Sequence, residues 1–218
     1  MRRMIRLEGN RPYKEQAEEV HRSVNGWASA VVKATKAKID IKGIENIPTE
    51  GPVLFVSNHQ SDVDIMLFLS LVKLPIGFIA KIEMLKVPFI RTWMKLMRSV
   101  FIDRKNIRQT AGVIIEGIEI LKSGHSMVVF PEGTRSRSGE PLPFKPGAIK
   151  LATKSMADIV PVTINGSSNV LENNRYRVKA ADVKIIFHPV IRTKDLDTAE
   201  LAKLSETVEN IILGGLGK

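Results

Sequence analysis

The chain has 218 residues, 44% of them hydrophobic and 26% charged, with no cysteine and a formal net charge of +10. This length suits one domain with a sizeable core and excludes two large ones, and the composition excludes a disordered or fibrous chain. Without cysteine there is no disulfide scaffold, thiolate metal site or cysteine nucleophile, while the charge predicts an anionic partner: nucleic acid, a membrane or a phosphorylated ligand.

Residues 1–44 carry +5, with ten basic side chains against five acidic ones. Within them, Tyr13, Ala17, Val20, Val24, Trp27, Ala28, Val31 and Val32 recur at spacings of three and four, which predicts a helix over 13–36. From about residue 38 the pattern changes to short β-rich runs at 38–42, 53–57, 76–80, 99–102, 126–130, 159–164 and 183–191. Helical patterns lie between them at 62–73, 84–97, 106–122 and 147–156, and a last one spans 198–213. Alternation of this kind predicts an α/β fold: a single domain with a mixed or mostly parallel sheet flanked by helices, plus the N-terminal helical segment. The expected division is 1–36, a helical membrane-contact segment or a helix packed on the domain, and 37–218, the α/β domain.

Charge is uneven along this plan. Residues 45–72 carry −4 with no Lys or Arg, 73–108 carry +7 (nine basic, two acidic), and 109–218 only +2 (fourteen basic, twelve acidic). The basic block interleaves Met84, Leu85, Val87, Phe89, Ile90, Trp93, Met94, Leu96 and Met97 with Lys86, Arg91, Lys95 and Arg98. Such a mixture suits an anionic membrane surface better than a nucleic-acid groove; the alternative is a core helix with snorkelling basic residues. No stretch reaches the roughly 18 to 20 consecutive apolar residues of a spanning helix. No apolar core follows Arg2, Arg3 and Arg6 as it does in a cleavable signal. The expectation is a peripheral or monotopic protein on the cytoplasmic face of the cell membrane, with no transmembrane span.

Four segments carry chemistry. Ser57-Asn58-His59-Gln60-Ser61-Asp62-Val63-Asp64 lies between a predicted strand and a predicted helix, where α/β domains build sites. Ser61 and Asp64 suit a capping box, which does not require His59. Asp64 folding back to the ring of His59 makes a general-base pair; a metal site on His59, Asp62 and Asp64 lacks a completing ligand. Phe101-Ile102-Asp103-Arg104-Lys105 is a strand ending in basic residues, either a surface ion pair or a forked donor for phosphate. In Phe130-Pro131-Glu132-Gly133-Thr134-Arg135-Ser136, Gly133 permits close backbone approach, and Arg135 with Arg137 can bind an anion. Ile159-Val160-Pro161-Val162 carries a proline that predicts an edge strand or a bulge.

In this order the four segments resemble the blocks of the glycerolipid acyltransferase family. His59 and Asp64 stand at the spacing of its first block and FIDR at 101–104 matches its second. FPEGTRS at 130–136 matches the third letter for letter, and Pro161 stands at the fourth. The match covers about 53–165, and Phe144, Lys145 and Gly147 follow the family trend. Arg91 and Arg98 stand where the family usually has Gly, which puts the usual backbone turn in question.

The resemblance implies an acyltransferase that moves a fatty acyl group from a thioester donor to the free hydroxyl of 1-acylglycerol-3-phosphate (lysophosphatidic acid), giving phosphatidic acid. His59 is then the base and Asp64 its support. Arg104 and Arg135 bind the acceptor phosphate with Lys105 as auxiliary, and Glu132, Gly133 and Thr134 complete the substrate site. No cofactor or metal is implied: the donor is a co-substrate, acyl-CoA or acyl carrier protein. The partners are these substrates and an anionic membrane, not nucleic acid. The apolar helix from Ile65 to Leu71 suggests an acyl channel in which Leu67 and Leu71 set chain length. The alternatives are a glycerol-3-phosphate acyltransferase and, from a different class, a basic nucleic-acid-binding module.

Overall fold

A computed structural model describes residues 13–103, 107–136, 140–145 and 147–217; of residues 13 and 107–110 only the backbone is described. The elements in chain order are α1 (Tyr13–Ala34), β1 (Lys38–Lys42), β2 (Val53–Ser57), α2 (Val63–Leu71) and β3 (Ile76–Lys81). A 3-10 turn over Ile82–Lys86 then leads to α3 (Pro88–Leu96), β4 (Val100–Ile102), α4 (Ile107–Lys122) and β5 (Ser126–Val129). The chain closes with α5 (Gly147–Ser155), β6 (Asp158–Asn165), β7 (Asp182–Phe187) and α6 (Thr198–Gly215).

The seven strands form one sheet in the order β1-β7-β6-β2-β5-β3-β4. Every neighbouring pair is parallel except β6 and β7, so the five strands from β6 to β4 end on one edge of the sheet. Strand side chains alternate between two apolar faces, as expected of a sheet covered on both sides. Phe55, Phe78, Val128, Val160 and Val162 face α1 and α2; Leu54, Val56, Met127, Val129 and Ile159 face α4, α5 and α6.

Helix α1 is part of this core. Ala17, Val20, Val24 and Ala28 are buried along one stripe. The Asn25 side chain donates to the carbonyls of Leu69 (2.9 Å) and Ser70 (3.0 Å), which end α2 with no helical partner of their own. Trp27, on another face, is half exposed. Residues 1–12 of the expected N-terminal segment lie outside the described residues.

Three expectations are sharpened. Of the edge strand or bulge that Pro161 predicts, the structure has the bulge: β6 is central, paired without interruption to β2 through Val56↔Pro161 and Ser57↔Val162. The irregularity lies in its other neighbour: β6 meets β7 at Val162↔Phe187 and again at Ile159↔Ile191, so one extra residue is accommodated in the β7 chain. Pro161 faces that bulge, where its carbonyl accepts from the His188 N–H and a donor is not needed. Second, the turn before β4 survives the loss of glycine, because Arg98 itself adopts a left-handed φ of 53°. Third, the apolar run of α2 is divided: Leu67 is fully buried in the core, while Ile65, Met66, Ser70 and Leu71 are half-exposed.

Candidate active site

The C-terminal ends of β2 and β5 deliver the first and third segments to one edge of the sheet, and the fourth runs within β6 beside β2, with Val162 paired to Ser57. Beyond β2, Asn58 is buried and its amide closes a two-way clamp on the backbone of Ile164 in β6, donating to the carbonyl and accepting from the N–H at 2.8 Å each. Gln60 accepts from the Gly166 N–H (3.0 Å) just past the same strand. The chain between these anchors turns sharply and presents His59.

His59 Nδ1 lies 2.8 Å from Asp64 Oδ2. The same oxygen accepts the backbone N–H groups of Gln60 and Ser61, both at 2.8 Å. Asp64 is completely buried, while the His59 side chain keeps 13% of its surface open. The helix-start contact expected from Ser61 is present in altered form: Ser61 Oγ accepts from the Val63 N–H at 3.1 Å, and Asp64 reaches back to Ser61. Capping and ring support therefore share one carboxylate. A carboxylate only accepts, so Nδ1 carries the ring proton and Nε2 presents a lone pair.

The FPEGTRS segment holds the other sides of His59. Phe130 stacks on the imidazole with ring centroids 4.0 Å apart and planes 16° off parallel. Phe130 in turn meets Phe68 edge-on, and Phe68 meets Phe55 and Phe187, so the ring rests on an aromatic chain into the core. Glu132 is buried with both oxygens engaged by backbone, one by the His59 N–H (2.8 Å) and one by the Leu142 N–H (3.0 Å). Burial pushes its carboxyl above the ordinary range, against the pull of those two N–H groups and of His59. Ser136 donates its N–H to the His59 carbonyl (2.8 Å) and its hydroxyl to the same oxygen (3.3 Å). Gly133 has φ 71°, and a side chain there would meet Lys145 Nζ at 2.7 Å. Thr134 is exposed.

Arg135 is drawn onto two carboxylates, Nη1 donating to Asp62 Oδ2 (2.6 Å) and to Glu172 Oε1 (2.9 Å). Burial works against its charge, but Asp62, Tyr176 and Glu172 outweigh it and raise its pKa. Arg104, Lys105 and Arg137 lie outside the described residues; Asp103, the residue before the first two, follows β4 on the same edge as His59. Lys81, which motif reasoning did not single out, ends β3 on this edge and pairs with Glu83 at 3.0 Å. Among the described residues no three His, Asp or Glu side chains gather to hold a metal.

Thus the site joins His59, Asp64, Glu132, Gly133, Thr134 and Arg135. The sequence reading passed over Asn58, Gln60, Phe130, Ser136 and Glu172; the first four lie in or beside the motifs, and their identity was the available signal. Glu172 had none.

A carboxylate-supported histidine with an open Nε2, at the end of a parallel sheet and beside an arginine, is the equipment of an enzyme that deprotonates a hydroxyl on an anionic substrate. The chain belongs to the acyltransferase family, whose model matches residues 38–165. It is 32% identical over 81% of its length to the 1-acyl-sn-glycerol-3-phosphate acyltransferase of Borreliella burgdorferi, spanning 70% of that protein. With the probable 1-acyl-sn-glycerol-3-phosphate acyltransferase of Mycoplasma genitalium it shares 34% identity over 93% of this chain and 78% of the other. The crystal structure of the 1-acyl-sn-glycerophosphate (LPA) acyltransferase PlsC from Thermotoga maritima superposes with a TM-score of 0.84 at 29% identity, covering 98% of this chain and 85% of that one.

Proposed function

We propose that the protein is a 1-acylglycerol-3-phosphate O-acyltransferase, carrying a fatty acyl group from a thioester to lysophosphatidic acid and so making phosphatidic acid for phospholipid synthesis. The observation that carries the mechanism is the 2.8 Å contact between His59 Nδ1 and Asp64 Oδ2, which leaves Nε2 without a hydrogen bond among the described residues.

Nε2 takes the proton of the acceptor's free hydroxyl as its oxygen attacks the thioester carbon. Asp64 supports the positive charge that the ring then carries. The tetrahedral centre collapses with formation of the ester C–O bond and cleavage of the C–S bond. The departing thiolate recovers the proton from Nε2, so His59 ends as it began. No enzyme-bound ester intervenes and no resident cofactor is needed; acyl-CoA or acyl carrier protein serves as co-substrate. Arg135, with Arg104 and Lys105, binds the acceptor phosphate. Glu132 acts on the substrate site through the backbone it holds, Gly133 through the turn it permits, and Thr134 by its exposed place in that turn.

The membrane contact falls to the start of α3. Val87, Phe89 and Ile90 are exposed, 60% in the case of Phe89, among Lys86, Arg91 and Lys95, whereas Trp93, Met94 and Leu96 further along pack on the core. Because α3 leaves the C-terminal end of β3, these exposed residues stand on the sheet edge that carries His59. No helix among the described residues is long and apolar enough to cross a membrane. The exposed apolar and basic side chains at the start of α3 support a seat on an anionic membrane surface, on its cytoplasmic face.

The test is transfer by purified protein with lysophosphatidic acid and each thioester. His59→Ala is expected to abolish turnover while leaving the thermal transition in place, and near-normal turnover would overturn the base assignment. Faster acylation of glycerol 3-phosphate than of lysophosphatidic acid would overturn the acceptor assignment.

A further inference from the structure

We infer that Glu172 is a positioning residue that turns Arg135 toward the acceptor's phosphate. This rests on the reading of Arg135 as a phosphate ligand. A guanidinium carries five N–H groups, two of them on Nη1. Both are used here, one by Asp62 Oδ2 at 2.6 Å and one by Glu172 Oε1 at 2.9 Å. The donors that remain are those on Nη2 and Nε, which lie side by side and match two oxygens of one phosphate. Holding one nitrogen from behind fixes the direction of the fork.

Glu172 is built for this task. It opens a 3-10 turn, Glu172–Asn174, beyond β6, remote in sequence from both partners. Its Oε1 also accepts the Asp62 N–H at 2.9 Å, so a single oxygen ties together the HxxxxD loop, the FPEGTRS loop and the chain after β6. The turn is braced by the Tyr176 N–H on the Leu171 carbonyl (3.0 Å) and the Lys179 N–H on the Val170 carbonyl (2.9 Å), with Val170 completely buried. Oε2 of Glu172 is buried without a hydrogen-bond partner among the described residues. A carboxylate that leaves water with one oxygen unpaired is held against its own solvation, which a role in stability alone does not explain.

Charge sharpens the argument. Two carboxylates on one guanidinium leave the trio at −1, so Arg135 does not recruit phosphate by charge alone. Its contribution is direction. If Glu172 instead competed with phosphate for Arg135, removing it would improve acceptor binding, the opposite sign.

The experiment compares Glu172→Ala, Glu172→Gln and Arg135→Ala, alone and with the Ala pair combined, measuring KM for lysophosphatidic acid, KM for the thioester and kcat. Glu172→Ala is expected to raise the acceptor KM about tenfold and Glu172→Gln about threefold, with the thioester KM and kcat within twofold of the parent. In the Arg135→Ala background, Glu172→Ala is expected to add nothing, because there is no guanidinium left to aim. Should the Ala variant fold poorly, the Gln variant, which keeps size and one acceptor, carries the comparison. An unchanged or lowered acceptor KM in either folded variant, equal losses for both substrates, or effects that multiply in the double variant would each overturn the inference. If Arg135→Ala itself leaves the acceptor KM unchanged, the phosphate reading fails; if it raises KM while Glu172 variants are neutral, only the role of Glu172 fails.

Discussion

Replacing Asp64 by Asn tests how the base is supported. Asp64 Oδ2 receives three donors at 2.8 Å, His59 Nδ1 and the N–H groups of Gln60 and Ser61, while Oδ1 is buried without a partner among the described residues. The two backbone donors are fixed, so the Asn carboxamide must place its oxygen where Oδ2 now sits and its NH2 at the unpartnered position. The His59 tautomer then survives and only the negative charge is lost. At about 4 Å between charge centres and an effective dielectric near 20, that charge stabilises the imidazolium by at most ~4 kcal/mol. Exchanging one charge-assisted hydrogen bond for a neutral one gives a lower bound of ~1 kcal/mol. The expected fall in kcat is therefore roughly 5- to 1000-fold. This is less than the ~10⁴-fold loss seen when the same exchange in a serine protease reverses the tautomer. The buried NH2 without an acceptor destabilises the fold by about 1–3 kcal/mol. Turnover can be followed by thiol release with a chromogenic thiol reagent, since the chain has no cysteine to react. A kcat within twofold of the parent would refute electrostatic support by Asp64. A loss beyond 10⁴-fold in a folded variant would refute the fixed amide orientation.

Acid should destabilise the fold through His125, whose pKa is lowered to about 4 by burial, with Arg98 and His21 adding to the shift and the hydrogen bond to the Met97 carbonyl opposing it. A depressed histidine pKa means stability fully present above about pH 6.5 and lost as pH falls toward 4, about 3 kcal/mol in all; denaturant unfolding at pH 7 and 4.5 should show His125→Gln losing less than the parent, and equal losses would refute this. For the membrane contact, Phe89→Ser with Ile90→Ser removes about 2 kcal/mol of apolar burial and should weaken partition onto phosphatidylglycerol vesicles roughly 30-fold in co-sedimentation; unchanged partition would place the contact elsewhere.

How far the site was legible follows from the kind of signal each residue leaves. Helices were readable because each buries one stripe, and the central strands because they are short continuous apolar runs buried on both faces; both signals are local. The His59 to Asp64 pairing was readable because five residues bent round a helix start bring both ends together. Glu132 entered the substrate site only through the family resemblance; what was not legible is that both its oxygens face backbone N–H groups, one of them 73 residues away in sequence. Pro161 predicted an edge or a bulge because proline lacks a ladder donor, and the bulge lies in the chain just past β7, where Pro189 is a local mark of its own. Arg98 looked like a broken turn because glycine is the easy occupant of a left-handed position; the sequence cannot show that Gly77 packs so closely under that turn that a Cβ there would meet the Met97 and Arg98 carbonyls at 2.7 Å. The backbone path was fixed by that close approach, and Arg98 conformed to it at a strain of about 1–2 kcal/mol. Glu172 was the least legible of all, for it acts across 37 and 110 residues on Arg135 and Asp62. Local motifs thus reveal which groups react. The groups that aim them enter from distant turns, and only the closed sheet brings those turns to the same edge.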